Sequence, residues 1–374
     1  MLTTICREDS TSIPDRVSLD GVFAFDALLL AGTQTWRRTA FDQLLPRPLL
    51  PVGDLPLMAH PLRWLRDAGA RRVTICANGL GPQLQEHLEP VRHLVPAFSF
   101  HEDESPRGTA GSLRDAALAT DGELFVVADA TTIPDVNLLR VLLEHRESQA
   151  ALTIIVQPSQ AGGEKTLIPT GLYIFSRRAF DYVPAAGYQD IKESLIPRLY
   201  GAGQIVLTSE ADNVCVRVLD ARTYLAVSRR TIARSSTARS PFCNGVGPVD
   251  YSGLIDPRAR ISTSALLVGP VMVGANVEIQ DGAVIVGPAS IGADSVVSTG
   301  ALVSRSVIWS CCTVGADATV DRSILSTGVS VPAGASLLGA IKVTSAPAAV
   351  KHVRRPVPVP GMEPAVNARG LALS

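Results

Sequence analysis

"ALLVGPVMVGANVEIQDGAVIVGPASIGADSVVSTGALV", residues 265–303, places an aliphatic residue at every sixth position, often followed by glycine and then small residues. Followed in both directions, the series runs Ile255, Ile261, Leu267, Val273, Ile279, Ile285, Ile291, Val297 and Val303. After a five-residue step it resumes at Ile308, Val314 and Val320, and after another at Leu325, Val331 and Leu337. A period of six puts one inward aliphatic on each face of a triangular coil, so the pattern predicts a left-handed parallel β-helix of hexapeptide repeats. A sandwich of alternating strands would repeat every second residue and would not leave small residues between the inward positions. The five-residue steps predict locally irregular coils.

The rest of the chain is bounded by its composition. At 374 residues it is long enough for two ordinary domains. A formal charge of -1 gives no electrostatic footprint for nucleic acid or an anionic membrane, which leaves small molecules or proteins as partners. The amino terminus lacks a secretory apolar core and no run approaches the roughly 20 apolar residues of a membrane span, so a cytoplasmic protein is expected. Cys6, Cys76, Cys215, Cys243, Cys311 and Cys312 form no CxxC pair, so they are expected to be reduced, mostly buried thiols.

From residue 22 the sequence reads as strand, helix, strand, helix. "VFAFDALLLAG", "RRVTICAN", "GELFVVADA" and "AALTIIVQ" are buried-strand runs, and helical spacing separates them in "LMAHPLRWLRDAG", "GSLRDAALAT" and "NLLRVLLEHRESQ". That order predicts a mostly parallel sheet with helices on both faces and a ligand site at the carboxyl ends of the strands. The expected division is a tail (1–21), the α/β domain (22–228), an Arg/Ser/Thr-rich linker (229–250), the β-helix (251–343) and a Pro/Ala-rich tail (344–374).

The turn after the first strand, opening at Gly32, suits backbone amides that grip phosphate, with Arg37, Arg38 and Arg47 as nearby cations; an ordinary strand-to-loop turn would read the same way. The segments "LLLAG" with "LPRPLLPVGDLPLMAHPLRWLRDAGARRVTICAN", then "EDESPRGTAGSLRDA", "FVVADATTIPDVNL", "PTGLYIFSRRAFDYVP" and "ESLIPRL", taken in order, resemble the successive motifs of the sugar-1-phosphate nucleotidyltransferases. With the hexapeptide domain behind them, the resemblance spans about residues 22–343 and is nearest the mannose-1-phosphate guanylyltransferase and glucose-1-phosphate adenylyltransferase types. It implies a Rossmann-like domain with a mixed, mostly parallel sheet, and a reaction in which a nucleoside triphosphate and a sugar 1-phosphate give an NDP-sugar and pyrophosphate. Such in-line transfer depends on alignment and charge neutralisation by cations and carboxylate-held Mg²⁺.

The resemblance assigns nucleotide contacts to Gly32, Thr33, Gln34, Gly108 and Thr109, sugar-phosphate contacts to Lys165, Thr170 and Gly171, and catalytic roles to Arg37, Arg47 and Asp129. Asp129 would also be a metal ligand. Four departures stand out. Gln34 replaces a glycine and Trp36 an arginine of the phosphate loop, with Arg37 one residue further on. Arg47, between Pro46 and Pro48, replaces a lysine, and the two cations are not equivalent. Counting back from Tyr224 and Leu225, Arg217 stands where the second metal-binding aspartate belongs; it cannot ligate Mg²⁺ and is placed to pair with Asp129. The hairpin that would carry the sugar-phosphate lysine is cut to "PSQAGGEKTLIP", where Lys165 is either its remnant or an exposed loop residue. "PRGTAGS" reads equally as a base-contacting turn and as a helix-capping loop.

Two functions therefore follow. One is an impaired, regulatory relative that keeps nucleotide or NDP-sugar binding, as a homo-oligomer or beside a paralogous catalytic subunit. The other is an active enzyme using Asp129, Arg37, Arg47 and Mg²⁺. A hexapeptide acyltransferase would need a histidine base on the solenoid, and residues 251–343 contain none.

Overall fold

The structure is a computed structural model that describes residues 24–32, 45–103, 105–159, 166–238 and 254–344. The amino-terminal strands and helices are β1 (Asp26–Leu30), β2 (Pro51–Val52), β3 (Leu55–Pro56), α1 (Ala59–Asp67), β4 (Arg72–Cys76), α2 (Gly81–Leu88), β5 (Phe98–His101), α3 (Gly108–Leu118), β6 (Leu124–Asp129) and β7 (Thr132–Ile133). They continue with α4 (Leu138–Glu147), β8 (Leu152–Ser159), β9 (Thr166–Ser176), α5 (Ile196–Gly201), β10 (Val206–Glu210), β11 (Val216–Arg217) and α6 (Ala221–Ala238).

The main sheet has seven strands in the order β10-β8-β9-β6-β1-β4-β5. It is parallel except at β9, which runs antiparallel to both β6 and β8. The apolar runs become its central strands because both faces are covered. One face packs Leu29, Ile75 and Val126 against α1, α2 and α4, and the other packs Leu28, Phe125 and Phe175 against α3 and α5. Gly69, at φ +82°, ends α1 as its position in the sequence predicts.

Residues 254–344 form the left-handed parallel β-helix, three five-stranded parallel sheets stacked coil on coil. The sixfold series points inward: Ile261, Ile279, Val297, Val314 and Val331 share one sheet, and Leu267, Ile285, Val303, Val320 and Leu337 the next. The five-residue steps both lie at the corner into the third sheet, between Val303 and Ile308 and between Val320 and Leu325. There Ser306 and Ser323 are fully buried. Ser306 Oγ accepts the Ser323 amide and Ser323 Oγ the Ala340 amide, each at 3.0 Å, so the shortened corner loses no backbone partner to the missing residue.

The third sheet faces the α/β domain. Val307, Trp309 and Ile324 join Leu50, Val52, Leu57, Val218, Tyr224 and Val227 in one buried cluster. At its centre the Trp309 indole donates to the Tyr224 hydroxyl (3.0 Å), which donates to the Pro51 carbonyl (2.5 Å). Helix α6 runs on through residues 229–238, inside the segment that composition assigns to a linker; residues 239–250 lie outside the described residues, as do 1–21 and 345–374 of the expected tails. Of the described cysteines Cys76, Cys215 and Cys312 are buried and Cys311 is exposed. No described helix is long and apolar enough to cross a membrane.

Candidate functional site

The site is built at the carboxyl edge of the main sheet. Leu30 and Asp129 end β1 and β6 side by side in register, and the Ala130 amide bonds to Leu30 O at 2.9 Å. Gly32 follows β1 against Asn78, the residue two beyond β4; a Cβ at Gly32 would lie 3.2 Å from Asn78 Cβ. The turn thus has room for a backbone but little for a side chain. Thr33, Gln34, Trp36, Arg37 and Arg38 lie outside the described residues, and so does Lys165.

Asp129 is held on both oxygens. Oδ1 accepts from the Thr131 amide (2.8 Å) and hydroxyl (2.5 Å), while Oδ2 accepts from Arg217 Nη2. Arg217 reaches it because β11 pairs antiparallel with β7, placing Arg217 opposite Thr132, and the Val218 amide bonds to Thr131 O at 2.8 Å. The two side chains are 29% and 15% exposed, so the ion pair is partly withdrawn from water. Arg217 Nε is buried and has no acceptor among the described residues. Three of the roughly four acceptor positions of the carboxylate are thus taken, one of them by a cation that repels a metal. The described residues also contain no group of three or more His, Cys, Asp or Glu that could hold one. The residues present do not fit the Mg²⁺ that the family resemblance implies.

Thr170 and Gly171 meet this pair from β9. Gly171 has φ +88°, and a Cβ there would lie 3.0 Å from Thr132 Oγ1, 3.1 Å from Asp129 Cβ and 3.9 Å from Arg217 Cδ. Thr170 is buried and its hydroxyl donates to Ile155 O (2.9 Å), while Thr132 Oγ1 donates to Thr170 O (3.0 Å). The Thr170 hydroxyl is therefore used inside the sheet. Beside them Tyr173 is buried on β9, and burial pushes its phenol up to about 12, with Arg217 pulling the other way and Asp129 and Asp190 adding to the rise.

Gly108 and Thr109 open α3, but residues 187–191 close over them. Gly108 has φ +74° and a Cβ there would come within 2.4 Å of Gln189 O. That carbonyl accepts from the Ala110 amide (2.9 Å), and Gln189 N returns a bond to Arg107 O (2.7 Å). Thr109 Oγ1 donates to Asp190 Oδ2 (2.9 Å) and accepts from the Ile191 amide (3.1 Å). Arg107 is committed to Asp115 and to the carbonyls of Gly187 and Pro184. The start of α3 is thus capped by the Gln189 carbonyl, with no side-chain cap from its own segment. Arg47 begins a 3-10 turn, Arg47–Leu49, which packs beside α2, with Leu49 and Leu50 buried behind it.

Of the residues assigned from sequence, the structure brings Asp129, Arg217, Thr170 and Gly171 together, sets Gly108 against Gln189 and bonds Thr109 to Asp190. Thr131, Thr132, Asn78 and Asp190 were not singled out from sequence. Only Asp190 carries a local signal, as the cap that accepts from the Lys192 and Glu193 amides. Asp220, three residues beyond Arg217, caps α6, accepting from the Thr223 amide at 2.8 Å.

Residues 27–164 match the family model described as nucleotidyl transferase. The chain is similar to mannose-1-phosphate guanylyltransferase from Mycobacterium tuberculosis, 23% identical over 279 residues that cover 68% of this chain and 76% of that one. It is similar to UTP–glucose-1-phosphate uridylyltransferase from Synechocystis, 24% identical over 338 residues, with 80% and 82% covered. Against the mannose-1-phosphate guanylyltransferase catalytic subunit beta of Drosophila melanogaster it is 28% identical over 143 residues, 36% of this chain and 39% of that one. The crystal structure of HddC from Yersinia pseudotuberculosis matches 55% of this chain and 99% of that one, at 15% identity and a TM-score of 0.49.

A mixed sheet with Asp129 at its carboxyl edge, joined to a hexapeptide β-helix, defines the class as a nucleotidyltransferase-type α/β protein. Within that class the chain is similar, over most of its length, to proteins named as sugar-1-phosphate nucleotidyltransferases.

Proposed function

We propose that this chain binds a nucleotide or NDP-sugar at the carboxyl edge of its main sheet and acts as a catalytically impaired, regulatory member of its family, as a homo-oligomer or beside a paralogous catalytic subunit. The observation that carries this reading is the Asp129–Arg217 ion pair. In-line attack on an α-phosphorus is driven by neutralising charge on the phosphates and aligning the attacking oxygen. A guanidinium already bonded to the carboxylate supplies less positive charge there than a divalent ion would. It also denies the carboxylate to a metal.

A second reading, an active enzyme that makes an NDP-sugar and pyrophosphate, is favoured by one observation: the match extends over more than three quarters of relatives named as guanylyltransferase and uridylyltransferase. The two readings separate in an assay of pyrophosphate release with four nucleoside triphosphates and common sugar 1-phosphates in Mg²⁺, with Arg217→Asp alongside. The impaired reading expects no turnover by the unmodified chain. Turnover by it would establish the second reading and identify the substrates.

A further inference from the structure

Resting on the binding reading above, we infer that the site takes the diphosphate of an NDP-sugar without any divalent cation, with Arg217 as the built-in counter-cation. The disagreement between Mg²⁺ and the residues present is the starting point. Both oxygens of Asp129 are committed, Oδ1 to Thr131 and Oδ2 to Arg217.

Arg217 is fixed by its backbone as well as by its side chain. It lies in the β7–β11 pair, and the next residue, Val218, is fully buried in the cluster shared with the β-helix. The Arg217 backbone is therefore anchored beside Asp129.

The guanidinium still has unspent donors. Nη2 serves Asp129, but Nε is buried with no acceptor among the described residues. A buried donor without a partner is unfavourable until something supplies an acceptor. Phosphate oxygens match the guanidinium fork better than any other common ligand group. The Arg217 side chain keeps 29% of its surface exposed, so part of it remains reachable from solvent.

Charge then selects among nucleotides. The Asp129–Arg217 pair is formally neutral, so a diphosphate leaves less uncompensated charge beside it than the more highly charged triphosphate of a free nucleotide, which travels with a metal. The ligand class is the family's product, held by a fixed cation.

The test is calorimetric titration of the full chain with GDP-mannose, UDP-glucose, ADP-glucose and the matching triphosphates, in excess EDTA and in excess MgCl₂. We expect at least one NDP-sugar to bind with dissociation constants that agree within about threefold between the two buffers, and the triphosphates to bind at least about tenfold more weakly in EDTA. Arg217→Ala should weaken the NDP-sugar about tenfold or more, and Arg217→Lys should restore part of the loss. NDP-sugar binding that needs Mg²⁺ overturns this inference and leaves the binding reading standing. Metal-free binding that Arg217→Ala leaves unchanged also overturns it. Silence from every ligand in both buffers overturns the inference and the binding reading together.

Discussion

At Gly171 the backbone and the ion pair impose the same requirement. Its φ of +88° excludes most side chains, and the space a Cβ would need is held by Thr132 and Asp129. Gly171→Ala should therefore cost about 1–3 kcal/mol, read as a lower urea midpoint with an unchanged slope; an unchanged midpoint would contradict the packing described. Arg217 itself was legible by counting back from Tyr224, and its pairing with Asp129 follows once two opposite charges share one edge. The meetings of Thr132 with Thr170 and of Asp190 with Thr109 were not legible, because the partners lie 38 and 81 positions apart. No local pattern encodes such meetings.

Among the elements, α4, β8 and β9 share a buried histidine that makes their packing sensitive to acid. His145 bonds to Thr153 Oγ1 at 2.7 Å and Ser176 Oγ at 3.0 Å. Burial, helped by Arg178, lowers its pKa from 6.5 to about 4. The folded chain therefore keeps His145 neutral where the unfolded chain protonates it, so this contribution is full above about pH 6.5 and is lost as the pH falls toward about 4. It amounts to about 3 kcal/mol. Stability measured in urea between those pH values should slope downward toward acid, and His145→Gln should flatten most of the slope, the rest coming from half-buried His60 and from carboxylates such as Asp115 and Asp212 that are held below their usual range. An equal slope in the variant would show that His145 is not the group responsible.

Element order was largely readable from the apolar runs. The reversal of β9 was not, since strand direction is decided by neighbours rather than by the strand's own residues. Helix α6 was not read from the sequence, and its second half was assigned to a linker, because ion pairs rather than an apolar stripe hold part of that stretch. Arg230 and Arg234 both bond to Asp135, with Ile232 buried between them.

For the whole molecule, the β-helix braces the edge on which the site is built. Trp309 seals the cluster that holds Val218, one residue from Arg217, and Leu50, three residues from Arg47. Trp309→Ala should cost about 3–5 kcal/mol and split calorimetric unfolding into two transitions as the two parts separate. A single transition at the original midpoint would contradict this account of the interface. The sixfold series made the solenoid legible, and both shortened steps could be seen. Their reason could not, because the serine ladder at the corner joins residues 17 positions apart on successive coils.

The central claim is that Arg217 holds the position of the metal. Titration with Mn²⁺, followed by electron paramagnetic resonance in the presence of an NDP-sugar, tests it most directly on the unmodified chain and on Arg217→Asp. The account predicts no stoichiometric Mn²⁺ on the unmodified chain and one bound ion on the variant, where Asp129 and the new carboxylate would face each other. A stoichiometric Mn²⁺ signal from the unmodified chain would contradict it.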